Sequence, residues 1–223
     1  LQWSVSYPDM VSSCIAIATS AYLSAQGIAF NEVGRQAIFN DPKWNNGDYY
    51  GREIPAEGLS LARMIGHITY LSEKHMHEKF GRNFQESSKS SIKVNSEFTV
   101  ESYLHHQGIK FVERFDANSY IYITRAIDYF DLQEDYGGDL ANAFENAEAN
   151  YLIISFTTDW LYPTESAKNI VKALRVNGKN VNYTDIVTDN GHDAFLLPGE
   201  ILEKNISNFL RSEYTRLQNS EDL

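Results

Sequence analysis

Asp159 and His192 lie thirty-three residues apart and share a context. Asp159 follows the apolar run Tyr151-Leu152-Ile153-Ile154 by a few residues, and His192 follows the alternating run Val181 to Val187 in the same way. Both runs read as β-strands. A serine hydroxyl is a weak nucleophile at neutral pH. It needs a histidine to remove its proton and a carboxylate to hold that histidine in the right tautomer. On a parallel sheet such groups belong at the carboxyl ends of adjacent strands, where loops converge. The spacing therefore predicts the acid and the base of a serine-type triad, in the chain order nucleophile, acid, histidine. No Gly-x-Ser-x-Gly occurs in the chain. Ser4 and Ser6 lack the neighbouring glycines that permit a strained elbow. A purely structural reading competes: Asp159 caps the helix expected from Thr164, and His192 is a solvated turn residue. The residues alone leave both open.

Arg63 and Tyr70 are seven residues apart, two turns along one helix face. Arg63 lies among Leu61, Met64 and Ile65, so its charge is expected to be partly buried. A buried guanidinium wants a carboxylate, from a substrate or from an internal acid. Asp193, beside His192, is a substrate ligand or a turn acid. His75-Met76-His77 lacks the geometry for a shared metal, and Glu101 with His105 lacks a third ligand, so no metal site is expected. The stripe Tyr120, Ile121, Ile123 and Ile127 reads as core or interface, and Asp128, Asp131, Glu134 and Asp135 as a solvated face.

These residues need a scaffold. Cys14–Thr19, Tyr151–Phe156 and Asn180–Val187 read as strands. Helices are expected over 21–38, 57–80, 100–132 with a break near 115–118, 140–149, 164–177 and 201–217. Residues 41–58 read as a loop, and the polar segment 81–96 as a mobile one. Two strands each followed by a helix indicate a parallel α/β sheet. The helical block between the first strand and the other two is an insertion, most simply a lid. The expected division is 1–22 and 140–223 as sheet core and 23–139 as lid. The opening stretch Leu1–Met10 reads as the tail of a helix whose start lies upstream, stopped at Pro8.

The chain is long enough, at 223 residues, to bury a sizeable core. A net charge of −11 argues against non-specific nucleic-acid binding and against anionic lipid. No apolar run approaches the roughly 20 residues needed to span a bilayer. The single cysteine, Cys14, forms no intrachain disulfide and is expected to be buried and inert, which fits the cytoplasm.

Several longer stretches carry a resemblance. They include Tyr7-Pro8-Asp9-Met10-Val11, Asn31 to Ile38, Gly58-Leu59-Ser60-Leu61-Ala62-Arg63-Met64-Ile65-Gly66-His67-Ile68-Thr69-Tyr70-Leu71-Ser72, Phe111 to Tyr120, Ser155-Phe156-Thr157-Thr158-Asp159-Trp160-Leu161 and Gly191-His192-Asp193-Ala194-Phe195-Leu196. In these the chain resembles the C-terminal two-thirds of the homoserine O-acetyltransferases of the α/β-hydrolase type. The resemblance implies an α/β-hydrolase fold with an inserted helical lid and a missing N-terminal part that carries the nucleophile. It implies acetyl transfer from acetyl-CoA, a co-substrate rather than a bound cofactor, to L-homoserine by a ping-pong scheme in methionine biosynthesis. Asp159 and His192 fall on the family's acid and base, and Arg63 on the arginine that holds the homoserine carboxylate. Tyr70 and Asp193 fall on further substrate positions, and the lid on the homodimer interface. The segment from Glu86 to Ser96 looks like a variable insertion. The alternatives are succinyl transfer or serine as acceptor on the same scaffold, hydrolysis by the same triad, and an inactive fragment acting as an interaction chain.

Overall fold

The computed structural model describes residues 1–85 and 98–221, so most of the segment expected to be mobile (81–96) and all of the expected insertion at 86–96 lie outside the described residues. The chain forms two compact units, Leu1–Tyr22 with Asp131–Leu223, and Leu23–Phe130.

The first unit is built on three parallel strands, β1 (Ser13–Ile17), β2 (Asn150–Phe156) and β3 (Val181–Ile186), in the order β1-β2-β3. Ile17 pairs with Ile154, and Phe156 with Ile186. The continuous apolar run of β2 reflects burial on both faces, as expected of a central parallel strand. Tyr151 and Ile153 point into one core with Ile170, Val171 and Leu174 of α8 (Thr164–Val176). Leu152, Ile154 and Phe156 point into the other, with Leu202 and Phe209 of α9 (Glu200–Glu221). The period of two along the strand thus feeds both layers. A short helix α1 (Gln2–Ser6) adds Val5 to the first core. Cys14, expected in the interior, is half-buried at its edge.

The second unit is helical: α2 (Ala25–Phe39), α3 (Ala56–Tyr70), α4 (Glu73–Phe80), α5 (Thr99–Val112) and α6 (Ala117–Tyr129). Its core gathers Ile38, Tyr49, Leu59, Ala62, Phe111 and Ala117. Gly58 lets α3 close on α2, since a Cβ there would meet the Ala37 carbonyl oxygen at 2.5 Å and Ile38 Cα at 2.7 Å.

Several boundaries differ from the expectations. The helix expected over 57–80 is two, because Leu71 is extended and Ser72 accepts the His75 N–H at 3.0 Å, capping a new start. The break near 115–118 is present, with Asp116 as the cap of α6, accepting the Ser119 N–H at 2.7 Å. The helix expected over 140–149 is only α7 (Leu140–Ala143). The expected loop over 41–58 holds a short 3-10 stretch, Pro42–Gly47, tied to the start of α6 by Trp44 Nε1 donating to Asn118 Oδ1 at 3.0 Å. Residues 131–139 pack with the first unit. The Leu132 N–H donates to the Ala21 carbonyl at 2.9 Å, and its side chain is buried in the first core.

Candidate active site

The loops after β2 and β3 in the first unit are stitched together by threonines. Thr157 N–H donates to Ile186 O at 3.0 Å, Thr158 Oγ1 donates to Thr188 O at 2.8 Å, and Gly191 N–H donates to Thr158 Oγ1 at 3.1 Å. Gly191 sits at φ 70°, ψ −148°, a region essentially closed to residues with a Cβ. That turn delivers His192. Its Nδ1 lies 2.8 Å from Asp159 Oδ2. The Asp159 side chain is fully buried, and its other oxygen accepts the N–H groups of Leu161 at 3.0 Å and Tyr162 at 2.8 Å. One carboxylate oxygen is therefore anchored to backbone while the other faces the imidazole. The capping reading for Asp159 is not what the structure shows, because its backbone donors precede α8, whose N-cap is Pro163. The Tyr162 and Phe195 rings flank His192, each with its centroid 5.2 Å away. With Nδ1 committed to Asp159, Nε2 is the nitrogen that can act as a base.

Asp193 follows in the turn His192–Leu196 and is half-buried. Ser4 is buried, donates to the Leu1 carbonyl at 2.8 Å and accepts from Tyr151 OH at 2.8 Å, so its hydroxyl is structural.

In the second unit Arg63 and Tyr70 come together as their spacing predicts. Arg63 Nη1 donates to Tyr70 OH at 3.4 Å, and the guanidinium lies 4.7 Å from the Phe111 ring centroid and 5.3 Å from that of Tyr70. Among the described residues no carboxylate stands within ion-pair distance of Arg63. His67, one turn on, is buried, and its Nδ1 lies 3.1 Å from Tyr103 OH. Burial, aided by the charges of Arg63, Lys79 and Arg114, lowers this imidazole to about 4. Tyr120 is pushed up to about 12, chiefly by burial, with the Tyr70 hydroxyl adding to it.

Asp128 is not on a solvated face. It is buried on α6, 2.6 Å from Arg35 Nη2, while Asn31 donates to its other oxygen at 2.8 Å. Of the apolar stripe on α6, Tyr120 and Ile121 pack on the core whereas Ile123 and Ile127 are exposed. Glu101 accepts the Phe98 N–H at 2.6 Å at the start of α5. Sequence reasoning singled out neither Tyr162 nor His67. For His67 a signal existed: it follows Arg63 by four residues.

An acid and a histidine presented beyond the carboxyl ends of adjacent parallel strands, with helices on both faces of the sheet, define a recognisable architecture. The chain belongs to the alpha/beta hydrolase fold family, whose model matches residues 1–198. Within it, the chain is 56% identical over 214 residues to the homoserine O-acetyltransferase of Methanohalobium evestigatum, covering 96% of this chain and 43% of that protein. It is 51% identical over 214 residues to that of Zymomonas mobilis, covering 96% and 57%. The crystal structure of homoserine O-acetyltransferase from Bacillus anthracis superposes with a TM-score of 0.77 at 30% identity, covering 86% of this chain and 51% of that one. The chain spans about half the length of the curated relatives it matches. Among the described residues no helix is long and apolar enough to cross a membrane.

Proposed function

We propose that this chain supplies the acid, the base and the acceptor-binding residues of a homoserine O-acetyltransferase, acting in methionine biosynthesis in the cytoplasm. The nucleophilic serine comes from sequence that the chain does not carry. The observation that carries this reading is the 2.8 Å approach of His192 Nδ1 to a buried, backbone-anchored Asp159, in a chain at least half identical to proteins of that name.

The chemistry follows from the dyad. His192 Nε2 takes the serine proton as the serine oxygen attacks the acetyl-CoA thioester, and returns it to the departing thiolate. Homoserine then enters. Its hydroxyl gives a proton to Nε2 while its oxygen attacks the acyl-serine, and the serine recovers the proton as it leaves. Asp159 keeps Nδ1 protonated throughout and stabilises the imidazolium formed in each half. Acetyl-CoA is a co-substrate, and the scheme uses no bound cofactor or metal. Arg63 is assigned the homoserine carboxylate, with Tyr70 and Asp193 as further substrate contacts. The helical unit is assigned as the lid and as the interface of a homodimer. Exclusion of water by a lid is what favours transfer over hydrolysis.

The test is an assay of the full-length protein with acetyl-CoA and succinyl-CoA against homoserine and serine. Acetyl transfer to homoserine with parallel initial-rate lines is expected. Robust succinyl transfer without acetyl transfer, or hydrolysis alone, would sink the proposal. Arg63→Ala is expected to raise the homoserine KM by roughly 10- to 100-fold, the scale of a lost charge-assisted hydrogen bond. Unchanged kinetics would remove Arg63 from the site.

A further inference from the structure

One face of α3 carries buried polar atoms that no group among the described residues satisfies. Arg63 Nε and His67 Nε2 are both shut off from solvent, and neither has a hydrogen-bond partner among the described residues. The two residues are four apart, so they stack one turn above the other on the same face. Native interiors rarely tolerate such groups, and each one asks for an explanation.

The tautomer of the imidazole follows from the direction of its contact with Tyr103, in which the phenol is assigned as the donor. Tyr103 OH lies 3.1 Å from Nδ1. The rings of Tyr70 and Tyr103 meet the imidazole edge-on, with centroids 5.7 and 5.6 Å away. A phenol donating to Nδ1 leaves the single proton of the neutral ring on Nε2. Burial and nearby cations keep the ring uncharged at neutral pH. Both orphan atoms are then donors. Two donors without an acceptor, beside a guanidinium with no carboxylate partner among the described residues, are complementary to an anion.

The geometry points to His67 as a second, uncharged donor of the anion site that Arg63 anchors, so that a carboxylate is received by one charged and one neutral group. A single positive charge balances a single carboxylate, and the neutral imidazole adds direction without a second charge. This assignment rests on the proposed acceptor and adds to it a residue that selects for the carboxylate.

The experiment uses the full-length protein, with L-homoserine and with 3-amino-1-propanol, the same acceptor without its carboxylate. His67→Leu should raise the homoserine KM by about tenfold, the scale of one hydrogen bond to a charged group, with kcat little changed. Turnover of 3-amino-1-propanol should be unaffected, and His67→Gln should restore much of the loss. Equal losses with both acceptors, or no loss with either, would overturn the assignment. A second measurement does not depend on the variants folding. Nitrogen-15 shifts of His67 in the unaltered protein should show a protonated Nε2 that moves on titration with L-2-aminobutyrate, which keeps the carboxylate and lacks the hydroxyl. An unprotonated or unmoved Nε2 would overturn the assignment. Failure of the unaltered protein to acetylate homoserine would count against the proposed function, and the titration would still judge His67.

Discussion

At the scale of single residues, the division of labour between the two oxygens of Asp159 makes a sharp prediction. Oδ1 accepts two backbone N–H groups, and Oδ2 faces His192 Nδ1. In Asp159→Asn the amide oxygen is expected to keep the backbone donors, turning the NH2 group toward Nδ1. The histidine must then accept at Nδ1 and carry its proton on Nε2, the nitrogen required as the base. The rate constant kcat of the full-length enzyme should fall by on the order of 10³- to 10⁴-fold with the thermal midpoint nearly unchanged. A rate within tenfold of the unaltered protein would show that Asp159 does not set the tautomer. Asp116 shows a carboxylate with another duty. Burial opposes its ionisation, but hydrogen bonds led by Tyr49 and Ser119 outweigh that and hold it below the usual range. It caps α6 and, through Tyr49, ties the segment between α2 and α3 to it.

At the scale of elements, α2 and α6 of the helical unit are joined by a buried ion pair. Arg35 is fully buried, with Nη2 2.6 Å from Asp128 and 2.9 Å from Glu32, while its Nη1 has no partner among the described residues. Removing one member of such a pair strands the other charge away from water, whereas removing both spares that penalty. Arg35→Met should therefore destabilise the protein by about 3 kcal/mol, and Arg35→Met with Asp128→Leu should recover most of it. Chemical unfolding measures both, and additive losses would contradict the picture. The pair also shows why sequence reading misplaced Asp128. Four acids in a short span look like a solvated face, and nothing local reveals that one meets an arginine 93 residues earlier.

At the scale of the whole molecule, the proposed homodimer has a candidate surface within the helical unit. On α6, Tyr122 and Tyr129 are 76% and 78% exposed, and Ile123 and Ile127 are exposed as well. Apolar groups gathered on one helix lower the free energy when a partner covers them. The chain's charge of −11 opposes association of two copies, and salt screens that repulsion. Light scattering on the full-length protein should find a dimer that tightens as ionic strength rises. Tyr122→Glu with Tyr129→Glu should shift it to monomer. A monomeric unaltered protein would overturn the homodimer, and an unaltered dimer in the double variant would place its interface elsewhere.

Much of the sheet and of the dyad is legible from local patterns. The run Tyr151–Phe156 is apolar throughout because a central parallel strand is covered on both sides, and that needs no knowledge of its neighbours. Asp159 and His192 each follow a strand by a few residues, and parallel pairing of those strands brings their following loops to the same end. Arg63 and Tyr70 share a face because an α-helix repeats every 3.6 residues. Other features arise between segments distant in sequence. The threonine stitching of two loops, the burial of Asp128 against Arg35 and the Tyr103 contact that holds His67 all join such segments, so no local period records them. Helix ends moved for the same reason. Ser72 and Asp116 cap where packing allows a turn, and residues 131–139 join the sheet unit because Leu132 finds its backbone partner in Ala21. Periodicity is a property of neighbours along the chain, whereas burial and pairing depend on which distant segments fill the remaining space.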